Sequence, residues 1–190
     1  MGQGWRRFDD ALGGTGVSGF SSVLRAAAVV AVGMMVGCVQ APPPAPPAPP
    51  MADRVVVHKS TRTLELLRDG KAFATFPVAL GSQPYGPKQQ QGDGKTPEGV
   101  YRIDYKSMQS RYTRALHVSY PDDNDRARAQ AMGVDPGGAI FVHGLPNEYG
   151  PVDPPPWQRD WTEGCISVGN IAIVKIWDAV PEGTSIEIRP

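Results

Sequence analysis

Two side chains in this sequence have the chemistry of a nucleophile and its base. Cys165 stands in Trp161-Thr162-Glu163-Gly164-Cys165-Ile166-Ser167, and His143 ends the run Ala139-Ile140-Phe141-Val142-His143-Gly144. A thiol attacks as its thiolate, so it needs a base or an imidazolium beside it; an imidazole titrates near neutrality and can be either. Gly164 permits unusual backbone angles and close approach of a bound molecule. Successive N–H groups at the Gly164-Cys165 corner can point at an oxyanion. The plainer reading of Cys165 is a small buried packing residue, and of His143 a hydrogen-bonded residue at a strand edge. Three histidines with no His/Cys pair at ligand spacing predict no metal site, and no cofactor is expected.

The elements that must position this pair are short strands. Arg54–Lys59 and Thr63–Arg68 are rich in strand formers, and Asp69-Gly70 is a hairpin signal before Lys71–Leu80. Further strands are expected at Val100–Tyr105, Ala115–Tyr120, Ala139–His143, Cys165–Val168 and Ser185–Ile188, separated by Gly/Pro-rich turns. Many short strands with such punctuation predict a mainly β domain, a sandwich or barrel. Two helices are expected. Asp123–Met132 is polar and closed by Gly133. Ile171–Val180 carries Ile173, Ile176, Trp177 and Val180 as one apolar stripe, with Asn170 as its cap. The cysteine and histidine then lie on two strands joined by a long loop, Leu145–Asp160, and can meet at one sheet end. His117 alternates with Leu116 and Val118, so it either lines a groove or is a solvated strand residue. Lys88 to Gln91 reads as a solvated polar loop.

Composition narrows the function classes. The 190 residues hold 19 Lys+Arg and 19 Asp+Glu. No basic excess is available for phosphate neutralisation, so no nucleic-acid partner is expected. The two cysteines, Cys38 and Cys165, are too few for a disulfide scaffold. Residues 26–37 read AAAVVAVGMMVG, an apolar run after Arg25 that ends in small Gly37 before Cys38. It is shorter than the ~20 residues of a membrane span and has the parts of a secretory signal. Residues 41–50, APPPAPPAPP, can join neither helix nor sheet and predict a stiff spacer of roughly 30 Å. Residues 53–190 are long enough for one core. The expected division is therefore 1–37 signal segment, 38–52 Cys38 plus Pro-rich linker, and 53–190 the folded domain.

Three blocks together resemble a known family. Gly92-Asp93-Gly94-Lys95-Thr96-Pro97-Glu98-Gly99-Val100-Tyr101, then Ile140-Phe141-Val142-His143-Gly144, then Thr162-Glu163-Gly164-Cys165-Ile166 are similar, in that order, to the L,D-transpeptidase catalytic domain, also called YkuD. The resemblance covers about residues 54–189 and implies a β-sandwich of mixed strands with one or two short helices. It implies Cys165 as nucleophile and His143 as base and later acid, oriented by a backbone carbonyl for which Gly144 is the candidate. Gly164 and Cys165 would supply the oxyanion N–H groups. Substrates would be peptidoglycan stem tetrapeptides, acylating the thiol before transfer to an amine, and carbapenem-type β-lactams would inhibit. Hydrolysis of wall peptide or wall-protein links by the same cysteine is the alternative, and a non-catalytic wall-binding lipoprotein a third. His117, Thr162, Glu163, Arg159, Trp161 and Tyr112 are the expected substrate contacts. Trp157, Arg159 and Trp161 would cap the stem peptide, and Tyr112 with Arg114 would hold a carboxylate. The chain departs from the commoner family pattern at Glu163, where a histidine usually stands, and at Ser167, where Arg or Asn does. Met35-Val36-Gly37-Cys38 resembles a lipoprotein lipobox, which implies diacylation of Cys38 and a membrane anchor. Val39 after it fits an outer-membrane, periplasm-facing location in the cell envelope.

Overall fold

A computed structural model describes residues 49–151 and 159–190. The signal-like segment, Cys38, most of the Pro-rich spacer and Trp157 lie outside the described residues. The strands are β1 (Arg54–His58), β2 (Thr63–Arg68), β3 (Lys71–Pro77), β4 (Gly99–Ser107), β5 (Ala115–Val118), β6 (Phe141–His143), β7 (Ile166–Ser167) and β8 (Ser185–Arg189). Helices α1 (Asp123–Met132) and α2 (Asn170–Ala179) follow β5 and β7.

Alternation in sequence becomes alternation across one sheet. Leu64 and Leu66, and Ile186 and Ile188, are buried while the residues between them are more exposed, and in β1 Val55, Val56 and Val57 are all buried. Each such side chain contributes about 1.5–3 kcal/mol by leaving water. The order is β3-β2-β1-β8-β4-β5-β6-β7. The β1–β8 and β6–β7 pairs are parallel and the others antiparallel. A register shift between Ile103 and Tyr105 divides β4, which pairs with β8 on one side and β5 on the other. The sandwich expected from the sequence is thus a single mixed sheet of eight strands, curled so that both halves feed one core.

The curl is tied at a seam. Past Pro77 the chain leaves β2 and crosses to the opposite edge. Ala79 and Ser167 exchange both backbone bonds at 2.8 Å, Ser82 N donates to Thr162 O at 2.8 Å, and Thr162 N donates to Leu80 O at 3.2 Å. The turn that carries Cys165 therefore sits where the two sheet edges are stitched together.

Both helices arise as their sequences dictate, with one difference. Asp122 and Asp125 form a reciprocal capping box at the start of α1, and Gly133 closes it at φ 68°. The stripe of α2 is buried at Ile173 and Ile176, followed by Val180. Its N-cap, however, is Gly169 with no side-chain bond. Asn170 is the first helical residue, and its amide is engaged elsewhere. Its Oδ1 accepts from Leu145 N (2.7 Å) and Thr113 Oγ1 (2.8 Å), and its Nδ2 donates to Gly150 O (2.6 Å). A buried amide that ties two loops at three points makes better use of its donors and acceptors than one exposed cap bond.

Candidate active site

His143 is the last residue of β6. Val142 before it faces the core at 1% exposure, so Phe141 and His143 turn to the other face. In β7, Ile166 pairs with Val142 and Ser167 with His143, which places Cys165 one step ahead of β7 on the same face as His143. At a strand spacing of about 4.8 Å and a rise of about 3.3 Å per residue, the two backbones are roughly 8 Å apart. Their side chains line one cavity of about 680 Å³, together with Lys88, Arg111, Tyr112 and Trp161.

The imidazole is held by two neighbouring aromatic rings and at one nitrogen. Its Nδ1 lies 2.6 Å from Gly144 O. A carbonyl only accepts, so Nδ1 carries the hydrogen and Nε2 keeps a free lone pair. Tyr112 tilts over the ring with centroids 4.5 Å apart, and Trp161 meets it edge-on at 5.9 Å. Gly144 must be glycine here. A Cβ would come within 2.5 Å of Asn170 Oδ1 and 3.0 Å of Tyr112 O. Burial holds the His143 pKa below its ordinary 6.5, against the smaller opposite effect of the Gly144 bond. The ring is therefore neutral at pH 7 and able to accept a proton.

Burial likewise pushes the Cys165 thiol up, assisted by the nearby Glu163 carboxylate and opposed by the Phe141 backbone and Lys88. Its Sγ donates to Ala139 O at 3.5 Å. The turn beneath it is built around Thr162, which is buried. Thr162 Oγ1 donates to Cys165 O at 2.7 Å and accepts from Gly164 N at 3.1 Å. Gly164 has φ 133°, and a Cβ there would stand 2.6 Å from Lys95 O, so the position admits only glycine.

Several expected roles change. Gly164 N–H is occupied by the Thr162 hydroxyl, so it is not a free oxyanion donor, and Thr162 braces the nucleophile turn instead of offering its hydroxyl to a ligand. His117 is not among the cavity-lining residues. It bonds Asp104 at 2.6 Å, stacks on Tyr105 at 4.5 Å and backs Phe141 at 4.8 Å. Arg159 is exposed and does not line the cavity. Arg114 is drawn away by Asp178 at 3.3 Å and by the Trp177 ring. Tyr112, Trp161, Thr162 and Glu163 do line it.

Two cavity cations were not singled out as site residues from the sequence. Arg111 is exposed at the rim. Lys88, expected in a solvated loop, is 3% exposed, and its Nζ donates to Asp93 Oδ1 at 2.8 Å and Gln90 O at 3.1 Å. Asp93 also accepts from the N–H groups of Gln89, Gln90 and Lys95. Burial tends to raise the Asp93 pKa, but these donors together hold it below its ordinary value. The available signal was Asp93 five residues after Lys88, inside the Gly92-Asp93-Gly94 turn.

Comparison with known proteins agrees with this geometry. The chain is 31% identical over 96 residues to the protein named "Putative L,D-transpeptidase YafK" of Escherichia coli (strain K12), a match covering 47% of this chain and 37% of YafK. It is 27% identical over 139 residues to "Putative L,D-transpeptidase YqjB" of Bacillus subtilis (strain 168), covering 70% of this chain and 69% of YqjB. Among solved structures, the helical cell shape determining protein Pgp2 of Campylobacter jejuni superposes with a TM-score of 0.56 at 25% identity, over 71% of this chain and 46% of Pgp2. The chain thus spans less than half the length of YafK and of Pgp2. The description of the L,D-transpeptidase catalytic domain (YkuD) matches residues 52–188, from just before β1 to the last strand and across both halves of the site, and the chain belongs to that family.

Proposed function

We propose that this protein is a cysteine acyltransferase acting on peptidoglycan stem tetrapeptides, with Cys165 as nucleophile and His143 as its base. One observation carries the reading. A buried neutral imidazole, with Nδ1 committed to Gly144 O, shares a cavity and a sheet face with a cysteine. Nε2 takes the Cys165 proton as sulfur attacks the carbonyl of the third stem residue. Cys165 N–H meets the developing oxyanion. The C–N bond to the terminal D-Ala breaks, His143 returns its proton to the leaving amine, and a thioester remains. An acceptor amine, deprotonated by His143, then attacks the thioester and releases the thiol.

The lining suits both reactants. Arg111 at the rim offers a guanidinium to a stem carboxylate, in the place first expected of Arg114. Tyr112 and Trp161 supply flat apolar walls, and the Glu163 carboxylate beside Cys165 favours approach of an acceptor ammonium. Water in place of the amine would end the same thioester as hydrolysis. The Pro-rich spacer and an acylated Cys38 would hold the domain off the outer membrane, facing the wall.

The test is mass spectrometry of muropeptides incubated with the protein. New 3→3 cross-links or exchanged terminal residues support transfer, and tripeptides alone assign hydrolysis. A carbapenem should add one adduct, on Cys165. Cys165→Ala should abolish both while remaining folded; full turnover by that variant would refute the assignment.

A further inference from the structure

The loop from Ser82 to Lys95 touches the nucleophile from two sides. Lys95 O lies against Gly164, where an added Cβ would stand 2.6 Å away, so the loop abuts the Gly164-Cys165 corner. Gln91 N donates to Asp135 O at 2.8 Å, and Gln91 packs against Gly137. This second contact braces the segment whose Ala139 O receives the Cys165 thiol. Lys88 lies within this clamp and lines the same cavity as Cys165.

An ammonium is a poor device for folding such a loop. Asp93 already gathers three backbone N–H groups from Gln89, Gln90 and Lys95, which define the turn. Adding a buried Lys⁺ incurs a desolvation cost that its partner only offsets, so a buried ion pair is weak evidence for a role in stability. Lys88 Nζ has three donors. Two are used, on Asp93 Oδ1 and Gln90 O, and the residue lines the cavity. The groups that face the thiol are few. His143 comes from β6, Glu163 from the nucleophile turn, and Lys88 from this loop, with Asp93 facing Lys88. His143 is neutral at rest and Glu163 is unfavourable to a second negative charge. Lys88 and Arg111 are the standing positive charges of the cavity, and Lys88 is the buried one, where its charge is least screened.

We propose that Lys88, held by Asp93 in the loop that abuts the nucleophile turn and lining the same cavity, supplies a fixed positive charge that stabilises the Cys165 thiolate. The inference rests on the reading of Cys165 as nucleophile. Lys88 keeps its proton throughout. The proton that leaves sulfur goes to His143 Nε2, and the resulting thiolate is stabilised by imidazolium on one side and ammonium on the other. Lys88 therefore acts through Cys165 as a positioning residue and touches no reacting bond. The effect on Cys165 has the matching sign, since Lys88 counters part of the upward push of burial.

The test is the rate of Cys165 alkylation by iodoacetamide as a function of pH in the full chain. In that reaction sulfur displaces iodide and no wall substrate is required. A protein that alkylates as expected but turns over no muropeptide would refute the proposed function and leave this inference standing. Lys88→Met should move the profile to higher pH and slow alkylation at pH 7 by about tenfold, the change in thiolate fraction for one pKa unit. Lys88→Arg should stay near the parent protein. A folded Lys88→Met with an unmoved profile overturns the proposal. If Lys88→Met does not fold, the doubly neutral Lys88→Met, Asp93→Asn protein carries the test. An alkaline shift there supports the proposal; an unmoved profile, or failure of both variants to fold, assigns the pair to structure and overturns it.

Discussion

Replacing Thr162 with valine isolates the brace under the nucleophile. Valine has nearly the same shape, so the buried site stays filled while the hydroxyl disappears. Two bonds go with it, the 2.7 Å bond to Cys165 O and the 3.1 Å bond from Gly164 N. Gly164 is buried, so its N–H would be left without a partner, at about 1–3 kcal/mol. Cys165 is only half-buried, so its carbonyl can turn to water, which adds about 1 kcal/mol or less. The expected loss is about 2–3 kcal/mol, within the 5–15 kcal/mol of a typical domain, so the protein still folds. For a domain of this size that corresponds to a fall in Tm of about 10 °C. Turnover should fall further than stability implies, because an error of about 1 Å in a nucleophile can cost about a hundredfold in rate. Thr162→Ser keeps the oxygen and loses one methyl, for about 1 kcal/mol and near-normal turnover. Thermal melts and single-turnover rates of the three proteins provide the assay. Valine as stable and active as serine at this position would refute the argument that the hydroxyl holds the turn.

Gly144→Ala should fail at the base instead of the nucleophile, since its Cβ meets Asn170 Oδ1 at 2.5 Å and Tyr112 O at 3.0 Å. Activity should drop at least tenfold, and backbone amide shifts of His143 and Leu145 by NMR would locate the disturbance. Lys59→Met removes a buried ammonium that bonds Gly86 O at 2.7 Å, Thr96 O at 3.1 Å and Glu98 at 2.7 Å. Losing one partner of such a pair costs about 3 kcal/mol or more, read as a lower urea midpoint, with Lys59→Arg less damaged. Stability should also fall in mild acid. The folded His143 pKa lies below 6.5 and the unfolded ring titrates at 6.5. Between those values only the unfolded chain binds the proton, so stability rises with pH through that window and is lost below it. Denaturation midpoints from about pH 7.5 down to about pH 5 should show this slope, and His143→Gln should flatten it.

The parts of the molecule that repeat locally were legible. Runs of strand formers such as Val55-Val56-Val57 and Leu64-Glu65-Leu66 marked strands because β-branched and apolar residues suit a pleated sheet in any order of strands. Asp122 to Gly133 carried both ends of α1 in its own residues. Cys165 and His143 stood out by type, and their motifs by spacing. The seam was not legible. It joins Val78–Leu80, read as the end of a strand, to β7 across the whole sheet, and no local pattern reports a partner that far along the chain.

What the seam controls follows the same division. The Thr162 hydroxyl was assigned to substrate because nothing near it in sequence announces that Gly164 N will fold back to 3.1 Å. Asn170 read as a cap because its neighbours are helical, yet Thr113, Leu145 and Gly150 arrive from other elements and claim its amide. Lys88 read as solvated because Lys is rarely buried, a rule that holds only where no carboxylate is packed in with it. Asp93 is that carboxylate, and it is itself placed by the turn that braces Gly164. The proposed reacting pair was therefore visible in residue types, whereas the groups packed around it were placed by long-range closure of the sheet. Variants at Thr162, Lys88 and Asn170 should accordingly change the reactivity of Cys165 without touching it, and variants at equally buried core positions such as Val57 or Ile188 should change stability alone.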